Sequence, residues 1–399
     1  MLGKAGSIAL IVLCQVCGMT LWFSATAAAS AMVAAGTLSG QQSALLTGAV
    51  QLGFVAGTLG SAVLGLADRF DPRHLFAAAA LIGVVANLTL LLIGFDNAVT
   101  IVLRFVTGAA LAGVYPVGMK MAAAWTQRGV GLMIGAVVGA VTLGSSLPYL
   151  FKAMSGLDWR TTIWTSSVCG ACGALAILMT SIGPRLRIAS KFRAAEAFAA
   201  LRQRPMLLAN GGYLGHMWEL YAMWAWIGVF LKWAIAQNDP ALANHAEVLT
   251  FIVIASGALG CIVAGSLADR IGRTAVTIVA MAVSGSCAAL IGFTPAFGVV
   301  AVLATAIIWG VSVVADSAQF SAAVTELAEP HLIGTMLTLQ TCAGFLLTFL
   351  TIQGMPIIID LVGWTYAFVI LAVGPIFGVI SMTLLRRDPE SLRLAGGNR

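Results

Sequence analysis

Five ionisable side chains sit inside long apolar stretches of this chain: Arg104, Lys120, His216, Glu219 and Asp316. Such groups are costly at membrane depth and usually face a bundle interior or a watery path, so they mark routes for ions or polar solutes. The densest group is His216-Met217-Trp218-Glu219-Leu220-Tyr221-Ala222-Met223-Trp224-Ala225-Trp226. A spacing of three puts His216 and Glu219 on one helix face, where an imidazole that titrates near neutrality and a carboxyl could together take up and release a proton. Three readings stay open for the pair: proton coupling, a static contact fixing helix packing, and direct contact with a solute. Arg104 reads as a charge for solute or proton, or as a cation snorkelling to the outer interface. Lys120 either snorkels at the other end of its helix or pairs with Asp316, near Gln319, as an inner gate. Gln15 could hydrogen-bond a solute, and Trp22 could form an outer cavity wall. Trp22, Trp224 and Trp226 read equally as interface anchors. Tyr115-Pro116 marks a helix break that serves as a hinge or only as irregular packing.

The elements that must position these residues are membrane helices. Of 399 residues, 60% are hydrophobic and 9% charged, far from the soluble average of roughly 25% charged. The apolar runs reach the about 20 residues that cross hydrocarbon as a helix. Spans are predicted near 6–34, 42–67, 75–94, 98–123, 129–151 and 160–182, then near 206–231, 247–268, 273–293, 297–323, 332–358 and 363–385. This gives an all-α polytopic protein of twelve transmembrane helices in two six-helix halves, residues 1–182 and 206–399, joined by a polar linker over 183–205. The linker carries Arg185, Arg187, Lys191, Arg193, Arg202 and Arg204, with an amphipathic middle suited to a membrane surface. The first helix reads as retained, without a cleavage site, so the mature protein is expected to begin near Met1.

Positive loops stay on the cytoplasmic side. With both termini inside, that side collects Lys4, Arg69, Arg73, Arg128, the linker cations, Arg270, Arg273, Arg386, Arg387, Arg393 and Arg399, against Lys152, Arg160 and Lys232 outside. The net charge of +6 is therefore topological, and no nucleic-acid partner is expected. Cys14 with Cys17 and Cys169 with Cys172 have Cys-x-x-Cys spacing. Each pair lies in an apolar span with no partner pair or nearby histidine, so the thiols are expected to pack as small hydrophobes. No metal or cofactor is expected. Neither a phosphate loop, a His-Glu-x-x-His site nor a Gly-x-Ser-x-Gly nucleophile is present, which speaks against a polytopic enzyme or an energy source within the chain. The linker is too short to be the soluble domain of a sensor.

A charged loop occurs twice. Gly265-Ser266-Leu267-Ala268-Asp269-Arg270-Ile271-Gly272-Arg273 follows the eighth span, and Leu64-Gly65-Leu66-Ala67-Asp68-Arg69-Phe70-Asp71-Pro72-Arg73 follows the second. An Asp there can take hydrogen bonds from a neighbouring helix N-terminus while Arg residues brace it, making a cytoplasmic gate. Asp158-Trp159-Arg160 is echoed by Gly363-Trp364-Thr365, and Arg128-Gly129 by Ile333-Gly334. The loop and the span layout resemble the major facilitator superfamily over nearly the whole chain, and Leu64 and Asp71-Pro72 depart from its pattern.

That resemblance implies secondary active transport of a small solute by alternating access, with protons or another ion as coupling partner. It implies a monomer in the lipid bilayer of a bacterial inner membrane, and helices 1, 4, 7 and 10 around a central cavity. It puts Gln15, Trp22, Arg104, Lys120, His216, Glu219, Tyr221, Asp316 and Gln319 near solute or proton; read from the residues themselves, Tyr115 and Pro116 are hinge positions, and Gly131, Gly135, Gly139, Gly144 and Pro148 form a small-residue packing stripe on the fifth span. Arg104-Phe105-Val106-Thr107-Gly108 resembles the family's helix-4 pattern, in which the Arg serves proton transfer or substrate charge. Met119 to Pro148 is similar to the small-anion permeases for cyanate and nitrate, although the intramembrane Arg residues and Gly-Asn signature of nitrate carriers are absent. Drug exporters of the family carry a Gly-Pro pair where this chain has Gly139-Ala140, so proton-driven efflux of drug-like or metabolite solutes is the alternative. Arg104 and Lys120 suggest an anion, Glu219 and Asp316 a cation or proton.

Overall fold

The computed structural model describes the chain except residues 1–2, 35–37, 96, 126–129, 157, 187–191 and 399. Arg128-Gly129, Arg187, Lys191 and Arg399 thus lie outside the described residues. The first half is built from α1 (Lys4–Met19), α2 (Ser24–Ala34), α3 (Gly40–Leu64), α4 (Leu66–Arg69), α5 (Pro72–Ile93), α6 (Val99–Leu111), α7 (Tyr115–Ala123), α8 (Val130–Ser155) and α9 (Trp159–Ala176). The linker holds α10 (Ala194–Leu201). The second half comprises α11 (Arg204–Ala236), α12 (Pro240–Ala243), α13 (Ala246–Ile271), α14 (Arg273–Leu290), α15 (Val299–Ala315), α16 (Ser317–Leu327), α17 (Ile333–Ala367) and α18 (Val373–Arg387).

Among the described residues nine helices are long and apolar enough to cross a membrane, ten if α1 and the bent continuation Ser24–Ser30 form one span. The long stretch Ile333–Arg387 counts once by that measure but is interrupted at Gly363, whose φ of 69° favours a residue without Cβ. α11 has the length of a span and a polar middle. Each predicted span overlaps at least one helix. The first predicted span is broken at Thr20–Phe23, the fourth segment breaks just before Tyr115, and the tenth breaks at Asp316. Pro116 sits in the first turn of α7, where its missing N–H costs nothing.

Both described ends and both charged loops share one face, called the motif face below. Arg73 donates to the Thr180 carbonyl (3.1 Å), Ser181 N–H to Ser7 Oγ (3.2 Å), and Asn398 to the Asp269 carbonyl (3.3 Å).

The halves meet along α8 with α13 and α3 with α17. The glycine stripe of α8 lets this happen: a Cβ on Gly131 would lie 2.6 Å from Gly265 O, and one on Gly135 2.5 Å from Cys261 O. Gly139 faces Ala258 in the same way, and Pro148 lies inside α8 nearer its other end. Small residues are how helices approach closely without a water-driven force between them.

The Cys-x-x-Cys pairs, expected to lack a partner pair, adjoin each other. α1 packs on α9, a Cβ at Gly173 would lie 2.8 Å from Cys17 Cβ, and Cys169 and Cys172 are electrostatic neighbours of Cys17. Among the described residues no His, Cys, Asp or Glu cluster is placed to hold a metal ion.

Candidate functional site

A cavity of about 40 Å³ lies between the halves, room for roughly one or two waters. The first half contributes Tyr115, Met119, Ile134, Val138, Val141 and Thr142. α11 turns Tyr213, Met217, Leu220, Tyr221 and Trp224 toward it, a spacing that marks one helix face. Val314, Ser317, Ser321, Thr341 and Phe345 complete the wall. The polar groups lining it are hydroxyls and an indole, and no charged side chain is among them.

Away from the motif face an aromatic layer closes the cavity. The ring of Trp22 stands 5.0 Å from Phe54, 5.7 Å from Tyr221 and 5.5 Å from Phe345, and Phe23 stands 6.0 Å from Trp224. Tyr149 donates to the Trp224 carbonyl across the halves (3.1 Å), and Gln41 to Gln353 (3.2 Å). Trp22, Trp224 and Trp226 are all buried, so none is an interface anchor. The break at Thr20–Phe23 is what swings Trp22 and Phe23 into this layer.

The ionisable residues lie behind the cavity wall. Glu219 accepts from Ser284 Oγ (2.8 Å) and Trp309 Nε1 (2.6 Å). His216 does not pair with Glu219, contrary to the reading from their spacing: its Nδ1 stands 2.8 Å from Asp316 Oδ1, at ion-pair distance but without hydrogen-bond alignment. The tenth segment breaks at Asp316, which places that carboxylate beside α11. All three side chains are buried, and the Phe320 ring lies 5.4 Å from the His216 ring.

The expected pairing of Lys120 with Asp316 is likewise replaced. Lys120 Nζ bonds Asp68 Oδ1 (2.5 Å) and the Ala67 carbonyl (2.8 Å), because the fourth segment ends beside the first charged loop, in the same half. Arg104 neither snorkels nor reaches the cavity. It is fully buried and donates to the carbonyls of Leu21 (3.2 Å) and Trp22 (2.5 Å), Ser24 Oγ (3.3 Å) and Asn87 Oδ1 (3.2 Å). A broken helix leaves carbonyls without their usual donors, and the guanidinium fork supplies them. Gln15 is buried against Gly118, and its amide finds no partner among the described residues.

The two charged loops are braced differently. Asp269 abuts Gly131 in the first turn of α8 in the other half, where a helix N-terminus favours an anion. Arg273 forks onto Glu326 (2.8 and 2.6 Å), reaches Gln319 Oε1 (2.9 Å) and lies 3.8 Å from Asp269. Gly272, at φ 98°, lets the chain turn between α13 and α14. In the first loop Asp68 is tied to Lys120 in its own half, and Arg73 pairs with Asp71 (2.7 Å). Arg69 and Arg270 are exposed.

Sequence reasoning missed Asn87, Ser284, Trp309 and Glu326. One signal was available: Asn87 and Ser284, like Arg104 and Trp309, stand about two hundred positions apart, the spacing of the duplicated loops.

No curated protein matches the chain. Among solved structures, a mutant of the nucleoside transporter NupG superposes with a TM-score of 0.74 at 14% identity, covering 96% of this chain and 100% of that one. NupG itself gives 0.72 at 15%, covering 96% and 99%. The proton:xylose symporter XylE, bound to 6-bromo-6-deoxy-D-glucose, gives 0.69 at 15%, covering 96% of each chain. At such identities the likeness shows the fold. The Major Facilitator Superfamily profile matches residues 11–352, and with two halves around a shared cavity the chain belongs to the major facilitator superfamily of membrane transporters.

Proposed function

We propose that the protein is a proton-coupled secondary transporter of a compact, uncharged solute bearing hydroxyls or a flat ring, working by alternating access. The observation that carries this reading is the cavity wall, made of tyrosine, serine and threonine hydroxyls and aromatic faces with no charged side chain. Hydroxyls both donate and accept, and aromatic faces favour rings. A small anion would need a cation at the wall, and Arg104 and Lys120 are engaged elsewhere. The similar folds of the nucleoside transporter NupG and the proton:xylose symporter XylE agree in kind. The proton is assigned to His216, Asp316 and Glu219, which lie directly behind the wall on α11 and at the tenth-segment break. Solute and proton then occupy adjacent but separate positions, and one gates the other through α11. We also assign the motif face to the cytoplasm of a bacterial inner membrane, by its excess of Lys and Arg, and treat one chain as the working unit.

A thermal-shift screen of purified protein against nucleosides, pentoses, hexoses, small carboxylates, cyanate and nitrate tests the solute class. Stabilisation by neutral ring-bearing solutes is expected, since a ligand that binds only the folded state raises its melting point. A screen in which anions alone stabilise would overturn the uncharged reading. Uptake of the hit into proteoliposomes with and without a pH gradient then tests coupling, and equal uptake in both would leave facilitated diffusion.

A further inference from the structure

The second half ends in a segment that folds back across the motif face. After α18, Asp388 caps a short turn by accepting from Glu390 N–H (3.0 Å), and Arg204 at the start of α11 approaches Asp388 at 3.8 Å. Leu394 is fully buried although it lies beyond the last span. Ala395 follows at φ 46°, a left-handed conformation in which the alanine Cβ crowds the following carbonyl oxygen. Its N–H donates to Glu326 Oε2 (3.0 Å), the carboxylate that also takes the fork of Arg273. Asn398 donates to the Asp269 carbonyl (3.3 Å). The segment therefore touches both anchors of the second charged loop, one of which abuts α8 of the opposite half.

We propose that residues 388–398 are a strap that positions the second charged loop against α8, acting through Glu326, so that its release loosens the motif-face contact between the halves. Glu326 is the positioning residue: it receives the strap on one side and orients Arg273, and through it Asp269, on the other. A strained backbone held by one buried leucine suits a reversible fastening, because its holding force is a few local contacts and not a continuous helix. The inference depends on neither the solute nor the coupling ion.

Hydrogen–deuterium exchange on the full-length protein in lipid nanodiscs, without added solute, tests it. With Leu394→Asp, exchange is expected to quicken by about tenfold in peptides over 131–139 and 261–271, which flank the half boundary, while α5 and α6 stay as in the parent. Leu394→Ile should restore the parent rates. Ala395→Gly, which removes the left-handed strain while keeping the leucine, should slow exchange in the same two peptides, and this variant carries the test should Leu394→Asp fail to fold. If the changes stay within 388–398 and α16, or spread equally over all helices, the tail is mere packing and the proposal is overturned.

Discussion

The two halves carry equivalent polar nodes, one built on a guanidinium and the other on a carboxyl. In the first, Arg104 of the fourth segment meets Ser24 of the first and Asn87 of the third; in the second, Trp309 of the tenth and Ser284 of the ninth meet Glu219 of the seventh. The same helices, counted within each half, converge at the same place. The guanidinium is spent on the carbonyls of a broken helix. The carboxyl can gain or lose a proton, and its helix, α11, is unbroken across its 33 residues. One node fixes a bend; the other can change its charge. The charged loops differ in what braces the arginine: Arg73 holds Asp71 within its own loop and a single backbone carbonyl at Thr180, whereas Arg273 forks onto the Glu326 carboxylate on α16.

Arg104→Leu should therefore do the most damage. It removes four donated bonds, and with bonds to charged groups contributing about 1.5–3 kcal/mol each the loss should exceed roughly 3 kcal/mol. The expected readout is a large fall in melting temperature in detergent or no monodisperse protein, with Arg104→Lys recovering only part because an ammonium lacks the fork. A variant as stable as the parent would break the idea that this node is structural. Arg273→Gln comes next: Glu326 loses its fork and the stability cost is about 1–3 kcal/mol, read from the same melting curves. A cost no greater than that of Arg73→Gln would show the two loops to be equivalent after all.

The fold was legible in the sequence because hydropathy and loop charge are properties of each stretch taken alone. The all-helical membrane architecture and the duplicated loop needed no knowledge of what packs on what. The site was less legible because its contacts depend on where helices break. A spacing of three put His216 beside Glu219, yet the break at Asp316 gives His216 a nearer partner about one hundred residues away. Arg104 was visible as a cation within a span, but two of its four bonds go to backbone carbonyls, which leave no trace in a side-chain pattern. Glu326 drew no reading because the loop and the tail that converge on it are far from it in the sequence. The glycines of the fifth span were read as a packing stripe, and the structure adds the partners, α13 for Gly131, Gly135 and Gly139 and α1 for Gly144.

Glu219→Gln sharpens the comparison from the other side. The amide keeps an oxygen for Trp309 and can donate to the Ser284 hydroxyl, so the stability cost should stay near 1 kcal/mol or less, well below that of Arg104→Leu. Function should separate from stability. Solute binding in the thermal-shift assay should persist, while acceleration of uptake by a pH gradient should vanish. Retained acceleration would place the coupling proton elsewhere and leave His216 with Asp316 as the remaining titratable pair behind the wall.

The smallest effect should come from the first loop, where Arg73 donates to Asp71 through Nη2 and Nε (2.7 and 3.1 Å). That side-chain hydrogen bond, with the Arg73 backbone N–H as a lesser contributor, holds the Asp71 carboxyl below the usual range and outweighs the opposing effect of its partial burial. A carboxyl whose pKa is lower in the folded than in the unfolded protein stabilises fully above its unfolded value, near 3.9, and loses that contribution as pH falls through the depressed folded value. Both side chains are about a quarter exposed, so solvent screening limits the pair to about 0.3–1 kcal/mol. Melting curves of Arg73→Gln should thus lie slightly below the parent at neutral pH and converge with it on acidification. A gap that stayed constant down to pH about 3 would mean that Arg73 acts through the Thr180 carbonyl, which it also bonds, and that the first loop is braced against its own half by backbone contact and not by charge.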